Sequence, residues 1–213
     1  MSTLPAMRIK SHWFKAGAPK SAEQQASAMA FIVWRVAQNM LKRMRGADFD
    51  IDAGVQYFAF MREVLVFLIA VVDRMAYARW DGLERHAFTT ALVLRCADTL
   101  AGNETDLLGP PPGATTYQNG FIDLVNEVTT HYAEFGADPG SVATGEPFAP
   151  DFAFVRYLGS RLEPTVPPKD RFWVVDQVMA IEAPEAVDIV RKAMLDLVSA
   201  EARPSRRSAV SGD

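Results

Sequence analysis

Apolar side chains recur at three- and four-residue steps through most of the chain, the spacing that lines one face of an α-helix. Between Ser21 and Gly46, Val33, Val36, Met40 and Met44 form an apolar face, and Arg35, Gln38, Asn39, Lys42 and Arg45 form a wholly polar one. Ser21 and Gln24 have the spacing of a capping box, and Gly46 supplies the stop. A second helix is predicted from about residue 50 to Trp80, roughly 45 Å at ~1.5 Å per residue. Asp48, Asp50 and Asp52 place negative charge near its positive end.

The middle of that second helix has no polar side. Val64 to Val72 is an unbroken apolar run of nine residues, preceded by Arg62 and Glu63 and followed by Asp73 and Arg74. A helix that is apolar all round must be covered all round, either at the centre of a bundle or against a second copy of the chain. The expectation is a two-fold homodimer through Val64, Phe67, Leu68 and Val71, with the flanking charges paired across an antiparallel border.

Further along, Asp81 and Glu84 open a third helix expected to end at Gly102 and Asn103, with Leu83, Ala87, Ala91 and Leu94 as its inward stripe. Pro110, Pro111 and Pro112 stiffen the connector from Leu107 to Gly113. Thr116 then starts a fourth helix with the stripe Phe121, Leu124, Val125, Val128, Tyr132 and Phe135, stopped by Gly136. Glycines and prolines make Ala137 to Pro150 a surface loop. Helices are predicted from Asp151 to about Arg161, from about Lys169 to Glu182, and from Pro184 onward, the last burying Val187, Val190, Met194, Leu197 and Val198. The predicted fold is therefore all-α: a single-domain bundle of about seven helices, residues 21–203, around a long central helix. It is preceded by an irregular basic arm at 1–20, anchored by Trp13 and Phe14, and followed by a disordered tail at 204–213.

Composition fits that picture, since 49% hydrophobic and 23% charged residues in a 213-residue chain is an ordinary globular balance. A single cysteine, Cys96, excludes an intramolecular disulfide and points to a reducing compartment, the cytoplasm. The nine-residue apolar run spans roughly 14 Å as a helix against a ~30 Å hydrocarbon core, so no membrane span is expected, and no secretory signal is read at the start. Charge is uneven: residues 1–50 carry eight basic and three acidic side chains, and the rest carries 14 and 23. Attraction between arm and body accounts for this better than an anionic partner, and nucleic acid is disfavoured because no recognisable binding module accompanies the basic stretch.

Candidate chemistry is sparse. A di-iron bundle needs two Glu-x-x-His pairs, whereas Glu84 and His86 are two apart and Glu127 and His131 are four apart. No metal and no cofactor is expected. Cys96 and His86, ten residues apart on one helix, stand about 15 Å from each other along the axis, too far for a nucleophile and its base. Phosphate loops, His-Glu-x-x-His, Gly-x-Ser-x-Gly and Cys-x-x-Cys motifs are all missing.

Two groups of residues remain. Glu63, Glu127 and His131 are candidates for a ligand pocket between the central helix and the helix at 116–135. The dense aromatics Phe148, Phe152 and Tyr157, with Trp173 after the next prolines, suit either a satellite core or a site for a protein partner. The sequence thus favours a non-enzymatic interaction or scaffolding module, with a helical ligand-binding protein or enzyme as the alternative.

Overall fold

The computed structural model describes residues 20–201, with side chains to residue 197. The predicted N-terminal arm, apart from Lys20, and the predicted tail lie outside the described residues. Among those residues 78% are helical and no strand forms, only an isolated bridge between Ala137 and Pro150. The helices are α1 (Ala22–Gly46), α2 (Val55–Tyr77), α3 (Gly82–Leu108), α4 (Tyr117–Tyr132), α5 (Pro139–Thr144), α6 (Phe152–Leu162), α7 (Arg171–Gln177) and α8 (Ala183–Glu201).

The starts follow from side chains that satisfy the first free N–H groups. Ser21 and Gln24 close a reciprocal capping box at 3.2 Å in each direction. Asp81 accepts from the N–H groups of Leu83 and Glu84 at 2.9 Å, Thr116 from Asn119 at 3.1 Å, and Asp151 from Phe154 at 2.8 Å.

α2 is shorter than its pattern suggests, 23 residues, because residues 48–54 make a fixed connector instead of a first turn. Phe49 and Ile51 plug the core there, and Arg45 donates to the carbonyls of Ile51 and Asp52 at 2.8 Å. α3, in contrast, passes through Gly102 and Asn103 and stops at Gly109, whose φ of 83° only glycine adopts without strain. At 27 residues it is longer than α2. Its buried side is Phe88, Leu92, Cys96, Ala97 and Leu100, so the stripe of Leu83, Ala87, Ala91 and Leu94 is a correction: Leu83 and Leu94 face outward. Phe88 decides the rotation by packing at a tilt against Trp80, centroids 4.7 Å apart.

The last two predicted helices form one continuous run joined by a π-helical segment, Val178–Glu182. There the Ala183 N–H reaches back five residues to the Val178 carbonyl, and the widened turn accommodates Pro184, which has no N–H to donate. α8 is fastened to α1 by Arg43, which donates to the buried Glu182 at 2.9 Å and also binds Glu185.

α2 is the centre of the bundle. Every residue from Val64 to Val72 is at most 6% exposed, enclosed by α1, α3, α4, α6 and α8. Val64, Phe67, Leu68 and Val71 are each 0% exposed within a single chain, so the strip expected to meet a second copy is already covered. α2 is also, among the described residues, the helix long and apolar enough to cross a membrane by length and composition. The apolar residues flanking the nine-residue run extend it to that length, and in the structure the neighbouring helices cover most of it.

Candidate functional site

The four charges that bracket the apolar run, expected to pair across a dimer border, are all partnered inside the chain. Arg62 grips Glu104 of α3 with two hydrogen bonds of 2.9 and 2.8 Å, and Glu63 is gripped the same way by Arg161 of α6 at 2.9 and 2.6 Å. Burial pushes the Glu104 carboxyl up, against the opposing pull of Arg62, while the Glu63 hydrogen bonds push the Arg161 guanidinium up. At the other end, Asp73 accepts from Arg85 Nε at 2.9 Å, from Arg85 Nη2, and from the Thr89 hydroxyl at 2.8 Å. Arg74 Nη2 donates to the carbonyls of Tyr132, Ala133 and Phe135 at 3.2, 3.0 and 2.9 Å, setting a cation on the negative end of α4.

The pocket candidates Glu63, Glu127 and His131 do not line one cavity. Glu63 borders a recess of about 380 Å³ with Arg62, Gly120 and Leu124. Glu127 and His131 sit on the exposed side of α4, where His131 Nδ1 is 3.3 Å from its own helix's Glu127 carbonyl and the ring stacks on Tyr157 at 5.8 Å. Cys96 is 1% exposed, and burial pushes its thiol up to about 12, so it stays protonated and unreactive at neutral pH. Among the described residues no group of three His, Cys, Asp or Glu is placed to hold a metal ion.

The aromatic candidates divide. Phe148 and Tyr157 pack against the main core around Phe154, which is fully buried 4.5 Å from Tyr132, 5.7 Å from Phe67 and 5.6 Å from Phe148 between ring centroids. This cluster seats α6 on α2 and α4. Phe152 and Trp173 point away from it, 69% and 60% exposed, and Phe172 is 78% exposed. Phe172 and Trp173 meet edge to face at 4.9 Å. Their backbone is firmly held: Val174 and Val178 are buried beneath, Asp170 accepts from the Asp50 N–H at 2.9 Å, and α7 lies so close to α6 that a Cβ on Gly159 would stand 3.1 Å from Val175.

A larger cleft, about 670 Å³, opens between the C-terminal half of α2, the N-terminal half of α3, and α4. Ile69, Ala70, Val93 and Ile122 give it an apolar wall, and Asp73, Arg74, Arg85, His86, Thr89 and Thr129 a polar one. It lies between α2 and α4, the helices expected to hold a pocket, but none of the three predicted residues lines it. In the sequence, Asp73 and Arg74 point here; Arg85 and Thr89, one turn apart on α3, lie outside the apolar stripe expected for that helix.

Comparison with known proteins assigns the chain to no group: no family model matches it, and neither a curated protein nor a solved structure matches.

Proposed function

We propose that the protein is a non-enzymatic interaction module whose contact surface is centred on Phe172 and Trp173. One observation carries the reading: two adjacent large aromatics, 78% and 60% exposed, stand on a rigid buried base. Truncating exposed side chains changes fold stability by only about 0.5 kcal/mol or less, yet aromatic residues with a neighbouring arginine, here Arg171, are the types that dominate binding energy at protein interfaces. Holding them edge to face on a fixed helix start lowers the entropy lost on docking. The paired state of Glu63, Asp73 and Glu104 supports a structural use for the charges that would otherwise be candidate acids and bases.

The test is a photo-reactive side chain placed at residue 172 and, as a control, at the exposed aromatic position 31, combined with sedimentation over a range of concentrations. The reading expects a defined adduct at 172 and not at 31, either to a second copy or to another protein, and its loss in the Trp173→Ala background with the melting curve unchanged. Equal labelling at both positions, or an adduct indifferent to Trp173, would overturn it.

A further inference from the structure

We propose that the cleft between α2, α3 and α4 binds a small amphipathic monoanion, a carboxylate carried on a medium-length apolar tail. This site is separate from the aromatic pair and does not depend on it. Its volume of about 670 Å³ falls within the ~300–1,000 Å³ of small-molecule sites. Its two walls differ in kind. Ile69, Ala70, Val93 and Ile122 offer apolar surface to a tail, and Arg74, Arg85, His86 and Thr89, further along α2 and α3, offer donors to a head.

The charge balance sets the sign of the head. Arg74, Arg85 and His86 line the cleft, and the one carboxylate among its lining residues is Asp73. Asp73 is already neutralised by Arg85 through two hydrogen bonds and further held by Thr89. Arg74 meets the carbonyl dipoles at the end of α4 and the face of the Phe148 ring, 5.8 Å from its guanidinium, neither of which is a carboxylate, so its positive charge has no counter-charge of its own among the lining residues.

Both guanidiniums also keep unspent donors. All three Arg74 hydrogen bonds come from Nη2, leaving Nε and Nη1, and Arg85 uses Nε and Nη2, leaving Nη1. The Tyr77 ring, 5.0 Å from the Arg85 guanidinium, holds its plane in place. Planar N–H donors fit a carboxylate, and a single net charge favours one anionic group over a polyphosphate. Thr90 and Asn126, exposed at the rim, add neutral polar contacts.

The experiment titrates the full chain with sodium octanoate and, separately, with 1-octanol, which has the same tail without the charge, by calorimetry. Octanoate is expected to bind saturably at one site and at least about tenfold more tightly than octanol, with affinity falling as salt rises. Thr90→Trp, at an exposed position on the rim, should fill the mouth and weaken octanoate at least about tenfold while the melting temperature stays unchanged. His86→Ala should weaken it less and leave octanol unaffected. Equal affinity for octanoate and octanol, no saturable binding at millimolar concentration, or full binding by a folded Thr90→Trp would overturn the proposal. So would conversion of a dimer to a monomer by Thr90→Trp, since the cleft would then be seating a second copy.

Discussion

Arg62–Glu63 and Asp73–Arg74 place the same two charges, in opposite order, at the two ends of one apolar stretch, yet the ends of α2 behave differently. At the first end each side chain is met fork to fork by a partner on another helix, with Glu104 2% exposed, and only a small recess remains. At the second end Asp73 is shared between Arg85 and Thr89, Arg74 rests on carbonyls, and the helices part to leave the cleft. Desolvated charges at the closed end are there to be neutralised and to fix helix register. At the open end a cation keeps donors to spare, which is the condition for recognising something else.

The largest expected effect comes from the enclosed middle. Leu68→Asp buries a carboxylate with no partner and should cost more than about 4 kcal/mol in urea denaturation, enough to unfold the chain, whereas Leu94→Asp on the outward side of α3 should stay within about 0.5 kcal/mol. Next comes the closed end. Arg62→Ala strands Glu104 and should cost about 3 kcal/mol, at the low end for buried pairs because Arg62 retains some contact with water, and adding Glu104→Leu to Arg62→Met should recover most of the loss. Arg74→Ala at the open end should cost only about 1–2 kcal/mol, since it frees carbonyls that water can reach through the cleft. Equal losses at the two ends would erase the distinction between them.

The smallest effect is a pH dependence. Burial raises the folded Glu104 carboxyl above its ordinary 4.5, so the folded state binds this proton more readily than the unfolded chain does. Its contribution is fully present below pH 4.5 and is lost as pH rises through the raised folded value. Melting curves of wild type and Glu104→Gln should therefore differ by an amount that shifts in favour of the wild type as pH falls toward 4.5. A difference that moves the opposite way would mean that Arg62 outweighs burial.

Much of this architecture is legible from periodicity and caps. Ser21, Asp81, Thr116 and Asp151 begin their helices as their side chains dictate, and the run from Val64 to Val72 demanded full enclosure. What covers it was not legible, because an all-apolar helix looks the same whether its neighbours come from one chain or two. Stripe choice on α3 failed for a related reason: Leu83, Ala87 and Leu94 have helical spacing as good as Phe88, Leu92 and Cys96, and only the contact of Phe88 with Trp80 chooses between them. The candidate site was half visible. Asp73 and Arg74 stand out as charges in need of partners, but their partners lie 12 and 16 residues away on α3 and 58 to 61 residues away at and just past the end of α4, separations that local pattern does not encode.

Amide hydrogen exchange over Val64–Val72, followed across a hundredfold dilution of the protein, tests the enclosure of α2 most directly. Enclosure within one chain predicts that these amides are among the slowest in the molecule, exchanging only through global unfolding, at rates that do not change with dilution. Exchange that accelerates as the protein is diluted would show that a second copy supplies part of the cover, and would contradict the single-chain enclosure of the central helix.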